Sequence, residues 1–244
     1  MDFWAELGES PVNSSSVLDD RFDQIFPSPL RKFSSIFWTP VTIAAQASQL
    51  LVDRRGTRVL DIGSGVGKFC LVAAALTDGY FTGIEQRKDL VKAAKDAVAK
   101  QRITNIQIIH GDVTEHSFSE YDAFYLFNPF EAYVFKRSKI NGVVPVFVKL
   151  YLKCVKHVAA ELARKSIGTR VVTYAGCAHE VPNCYDCQLC TFGEHLKLWV
   201  KVREATPDDG QFGRARRSPR IATNRSFGKL GESPMENAES LQQT

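Results

Sequence analysis

The stretch Asp61-Ile62-Gly63-Ser64-Gly65-Val66-Gly67 constrains this chain more than any other. It follows a short apolar run at 57–62 and precedes a segment at 67–77 rich in Leu, Val and Ala. The pattern reads as a strand, a glycine turn and a helix. Glycine permits a positive φ and carries no Cβ, so main-chain amides at such a turn come close to a ligand. A binding site is therefore expected beyond the carboxyl end of this strand.

The alternation continues along the chain. Further strands are expected at 80–84, 106–109, 122–127 and 169–174, with helices at 87–100 and 144–164. A helix at 39–52 precedes the first strand, with Thr39 as its cap and Pro40 in its first turn. This order predicts an α/β fold, a parallel sheet covered on both faces. Runs at 185–192 and 195–202, joined by Gly193-Glu194, read as an antiparallel hairpin. The expected domain spans 39–204. Residues 1–38 read as an irregular arm anchored by Phe3, Trp4, Phe22, Ile25, Phe26 and Phe33 and broken by Pro27 and Pro29. Residues 205–244 turn to Gly, Ser, Pro, Asn and Arg, and a disordered tail is expected there.

Composition removes several classes. With 244 residues, 44% of them hydrophobic, one α/β domain with extensions fits better than two domains. Lys149 interrupts the longest apolar run, so no membrane association is expected. The first residues lack a basic, apolar leader, which predicts a cytoplasmic protein. Cys70, Cys154, Cys177, Cys184, Cys187 and Cys190 then read as reduced thiols. Cys184, Cys187 and Cys190 have the spacing of zinc or iron–sulfur ligands. On a strand, however, residues three apart point to opposite faces, and no bound metal is expected. The net charge of +4 does not by itself imply a polyanion. Arg214, Arg216, Arg217, Arg220, Arg225 and Lys229 keep nucleic acid open as a partner, although nearby acids favour a merely solubilising tail.

Three features narrow the ligand. Lys68 stands where a dinucleotide fingerprint wants its last glycine, and because Phe69 follows it there is no phosphate-loop Gly-Lys-Ser/Thr. Asp61 would repel a pyrophosphate but suits an ammonium group. Glu85, about 20 residues beyond the glycines, suits a ribose diol. A fourth feature, Gly111-Asp112 after the third strand, suits an exocyclic amine. Together these residues resemble the class I S-adenosylmethionine-dependent methyltransferases, over roughly 39–202. The resemblance implies a Rossmann-like three-layer sandwich, its mainly parallel seven-stranded sheet closed by a C-terminal antiparallel hairpin. It implies S-adenosylmethionine as cofactor, with Asp61, Gly63, Gly65 and Gly67 at the methionine part. Glu85 would take the ribose, and Asp112 with Val113 the adenine. A non-catalytic binder of that cofactor and a nicotinamide-dependent oxidoreductase are the alternatives.

The fourth strand of the alternation ends in Tyr125-Leu126-Phe127-Asn128-Pro129-Phe130. This resembles the Asn-Pro-Pro-Tyr/Phe motif of amino-group methyltransferases with one proline missing. By that resemblance Asn128 orients the acceptor and Phe130 forms the wall beside it. The glycine loop and this strand end are also similar to the non-SET nucleosomal lysine methyltransferases. The acceptor is thus expected to be nitrogen rather than carbon, on a protein lysine or a small molecule. Methyl transfer from a sulfonium needs alignment and exclusion of water. A base is needed only for a protonated acceptor, and Glu131, Tyr174 and His179 are the candidates. Phe37 and Trp38 are expected to line the pocket or to anchor the first helix.

Overall fold

The computed structural model describes residues 15–130, 144–176, 178–207 and 209. Phe3, Trp4, Glu131, Cys177 and the six basic residues of the tail lie outside the described residues. The elements begin with helices α1 (Ser15–Asp23), α2 (Ser28–Arg31), α3 (Ser34–Phe37) and α4 (Val41–Leu51). Strand and helix then alternate: β1 (Arg58–Ile62), α5 (Lys68–Leu76), β2 (Tyr80–Glu85), α6 (Lys88–Gln101), β3 (Ile106–His110), β4 (Ala123–Phe127), α7 (Val144–Ala163) and β5 (Arg170–Tyr174). The hairpin of β6 (Tyr185–Thr191) and β7 (Leu196–Lys201) follows.

One seven-stranded sheet runs β3-β2-β1-β4-β5-β7-β6. The first five strands run parallel to one another, and β7 is antiparallel to both β5 and β6. Strand order reverses where β1 lies between β2 and β4, which opens a crevice beyond their carboxyl ends.

Alternation along the central strands builds two cores. Val59, Ala123, Tyr125 and Val172 pack with α4 and α5, including Ile43, Ala47, Phe69 and Val72. Leu60, Ile62, Phe124, Leu126 and Val171 pack with Val155, Val158 and Leu162 of α7. The result is the three-layer sandwich. Among the described residues, no helix is long and apolar enough to cross a membrane.

Two expectations change. The arm is not irregular from residue 15 onward. Pro27 precedes α2 and Pro29 sits in its first turn, where a fixed φ starts a helix rather than breaking one. Phe22, Phe26 and Trp38 are buried in the α4–α5 core, so this described part of the arm packs onto the sheet. Nor does Thr39 cap α4. Its hydroxyl shares a 3.0 Å hydrogen bond with the buried Tyr125 hydroxyl, and Pro40 takes the cap position.

The far end of α7 is closed by Lys201 of β7. Its buried ammonium donates to the Ala163 carbonyl at 2.8 Å and to the Lys165 carbonyl. This satisfies carbonyls that a helix end leaves unpaired. Lys201→Met would strand them in a buried site at about 2 kcal/mol. The melting temperature should fall by roughly 4–8 °C; an unchanged melting curve would show that those carbonyls find other partners.

Candidate functional site

Gly63, Gly65 and Gly67 all adopt positive φ, at 74°, 56° and 75°. At Gly63 the absence of a side chain is obligatory, since a Cβ there would lie 2.8 Å from the Cβ of Pro129 beyond β4. A Cβ at Gly65 would meet nothing, so that residue faces open space, while Gly67 stands at the cap of α5. The turn thus opens outward over the crevice.

Three acids arrive from successive strands. Glu85, at the end of β2, accepts from the Gly65 amide at 3.1 Å and from the Arg87 amide at 2.8 Å, one bond to each oxygen. Asp112 follows β3 and accepts from the Thr114 amide at 2.8 Å. Asp61 of β1 is buried, and the Cys70 thiol donates to its Oδ2 at 3.5 Å. Burial pushes the Asp61 carboxyl up to about 7; the Cys70 thiol opposes this, and the charge of Glu85 adds to it. Tyr125 sits beside Asp61 in the β1–β4 register. Its ring stacks on Phe69 with centroids 3.9 Å apart, and burial pushes its hydroxyl well above the ordinary range.

Among the described residues, two hollows of the crevice share Gly63. One is lined by Glu85, Gln86, Asp112, Val113, Pro129, Phe130 and Cys154 among others. The second is lined by Phe37, Trp38, Thr39, Asp61, Lys68, Tyr125 and Phe127 among others. Phe37 and Trp38 therefore line the second hollow, and Trp38 also packs edge-on against Phe26 at 4.9 Å.

The two residues expected at the reacting end part company. Asn128 turns the chain with φ at 39°, and its Oδ1 occupies the space a Cβ on Gly176 would need, 1.9 Å away. Phe130 instead enters the α7-side core and lines the first hollow with Val113 and Cys154. The turn at Asn128-Pro129 carries the ring across the sheet edge, and Phe127 is the strand-end aromatic at the second hollow.

Among the described residues, Lys68 is the only Lys or Arg lining either hollow. Its ammonium is 2.6 Å from Asp19 and 2.7 Å from Asp23, and its side chain is 2% exposed. With that charge engaged by two carboxylates, the crevice presents acids and amides. It suits a ligand with a cationic group and a diol, and it opposes a phosphate.

Other candidates lie elsewhere. Tyr174 packs against Phe127 at 4.9 Å, and the Tyr151 hydroxyl meets His179 Nδ1 at 3.3 Å. Cys187 pairs across the hairpin with Trp199 and Cys190 with Lys197. Among the described residues, no group of three or more His, Cys, Asp and Glu is placed to hold a metal. Sequence reading missed Tyr125, Phe127, Phe69 and Cys154. The period-2 alternation through Ala123, Tyr125 and Phe127 was a usable signal for the first two, whereas Cys154 had none.

Comparison with known proteins gives three findings. The model of a family described as a methyltransferase domain matches residues 53–181, just over half of the chain. A demethylmenaquinone methyltransferase from Listeria monocytogenes is 28% identical over 102 residues, covering 41% of this chain and 43% of the relative. A probable cobalt-precorrin-6B C(15)-methyltransferase from Sulfurisphaera tokodaii is 30% identical over 115 residues, covering 45% of this chain and 56% of the relative. The chain thus spans about half the length of these relatives or less. The crystal structure of TrmN from Thermus thermophilus covers 75% of this chain and 52% of its own, with TM-score 0.52 and 18% identity. That likeness concerns the fold.

The raised Asp61 carboxyl has a consequence for stability. Its folded value is about 7 and the unfolded one near 3.8, so folding binds the proton more tightly. The stabilisation is complete below about pH 4 and is lost as pH rises through about 7. On the order of 4 kcal/mol is involved. Melting curves of wild type and Asp61→Asn should diverge across this window, the wild type losing more stability. Parallel curves would show that Asp61 is ionised in the folded protein.

Proposed function

Because the chain belongs to the methyltransferase domain family, we propose that it transfers a methyl group from S-adenosylmethionine to an acceptor reaching the crevice beside Asn128. One observation supports this most: the two hollows meet over Gly63, with acids at Asp61, Glu85 and Asp112 and, among the described lining residues, no free cation. The sulfonium cofactor carries an ammonium group, a diol and an exocyclic amine, and no phosphate. That inventory matches the three acids in order.

Asp112 accepts from the adenine amine, and Val113 with Phe130 flanks the ring. Glu85, its two oxygens already oriented by the Gly65 and Arg87 amides, takes the ribose hydroxyls. Asp61 faces the ammonium, and Gly63, Gly65 and Gly67 let the backbone approach the methionine part. Bound there, the cofactor supplies an activated methyl carbon. The chain's own residues need only align the acceptor and keep water away. Phe37, Trp38, Tyr125 and Phe127 exclude water, and Asn128 accepts a hydrogen bond from the incoming nucleophile.

The acceptor is read as nitrogen on the strength of Asn128 alone, because an amide oxygen at a strand end suits an N–H donor. The two curated relatives are named for a demethylmenaquinone and for carbon 15 of a cobalt-precorrin. Neither name supports protein lysine in particular, and small molecules stay alongside it.

Incubation with methyl-labelled S-adenosylmethionine and a cell extract should label one acceptor on nitrogen. Label on carbon would overturn the nitrogen reading, and no transfer to any acceptor would overturn the activity. Glu85→Ala should weaken S-adenosylhomocysteine binding by about 1–3 kcal/mol, the worth of a charge-assisted hydrogen bond. Unchanged affinity would remove Glu85 from the cofactor site. Gly176→Ala, which forces Asn128 aside, should slow transfer at least tenfold while sparing S-adenosylhomocysteine binding. Unchanged turnover would remove Asn128 from the reacting end.

A further inference from the structure

Lys68 opens α5, directly after the glycine turn. A cation is disfavoured at a helix N-terminus, where the backbone dipole is positive. Burying an ammonium adds a desolvation cost that only well-placed partners offset. An uncharged side chain would serve α5 better, so the helix itself gives no reason for a lysine.

The partners give one. Both carboxylates come from α1, which is distant in sequence and lies over the start of α5. Asp19 also accepts from the Val41 amide at 2.9 Å, and Asp23 from the Ser34 hydroxyl. The same ammonium stands 5.6 Å from the Phe22 ring centroid and 5.9 Å from that of Trp38. One cation therefore ties α1, the start of α3, the start of α4 and Trp38 to the residue that follows the glycines. The segment it holds delivers Phe37, Trp38 and Thr39 to the second hollow.

We propose that Lys68 is a positioning residue that docks the segment 15–40 over the methionine end of the cofactor, so that cofactor binding and docking of this segment reinforce each other. The inference rests on reading the crevice as an S-adenosylmethionine site. Lys68 acts through Trp38 and Thr39, its ammonium being held by Asp19 and Asp23 rather than offered to the ligand. Burial of the ion cluster is tolerated because it specifies one arrangement of the segment.

Hydrogen exchange with and without S-adenosylhomocysteine tests this on wild type, Lys68→Arg, Lys68→Met and the charge-free triple variant Asp19→Asn/Asp23→Asn/Lys68→Met. In wild type the ligand should slow exchange across 15–40. Without ligand, the Met and triple variants should exchange faster there than wild type, with the sheet unchanged. Their S-adenosylhomocysteine affinity should fall at least tenfold, and Lys68→Arg should retain most of both properties. Equal exchange and equal affinity in the triple variant would overturn the proposal. So would a wild type whose segment is indifferent to bound ligand, a result that needs no variant to fold. A wild type that binds no S-adenosylhomocysteine would instead refute the cofactor reading, while the ligand-free exchange still reports whether Lys68 holds the segment.

Discussion

The contact between Gly63 and Pro129 governs the geometry of the whole crevice. A missing Cβ on the β1 turn lets the β4 turn close against it, and no other residue type fits that gap without displacement. Both hollows border on Gly63, so this is where an elongated ligand would cross from one half to the other. The reversal of strand order between β2 and β4 places the turn there, and the glycine makes it narrow enough to be a boundary.

Charge then decides what can occupy the crevice. Asp61, Glu85 and Asp112 line it from three consecutive strands, while Lys68, the one cation among the described lining residues, is neutralised from α1. A dinucleotide pyrophosphate would meet repulsion at Asp61 and gain nothing from Lys68. A ligand with a cationic amino-acid end, by contrast, offsets the cost of ionising a carboxyl that burial has raised to about 7. Family membership and electrostatics point the same way by independent routes.

Much of this was legible in the sequence because the informative residues are local. The glycine turn, the acids at strand ends and the alternation of elements depend on near neighbours, and their positions held to within a residue or two. What escaped the sequence was long-range. Thr39 looked like a helix cap, yet its hydroxyl is claimed by Tyr125, 86 residues away. The arm looked irregular because short helices leave little periodicity, and their stability comes from burying Phe22, Phe26 and Trp38 in a core built by later elements. Phe130 looked like a companion of Asn128, but a left-handed backbone at Asn128 sends the ring to the first hollow, while Asn128 itself stands against Gly176. Lys68 served as an argument against phosphate, while its two partners, 49 and 45 positions earlier in sequence, were invisible to any local rule.

A crystal structure of the protein with S-adenosylhomocysteine tests the central claim, that the two hollows form one cofactor site. The adenine should lie between Val113 and Phe130 with its amine on Asp112, the ribose on Glu85, and the methionine end beneath Trp38 beside Asp61. A ligand confined to one hollow, or one running away from Gly63, would contradict the account.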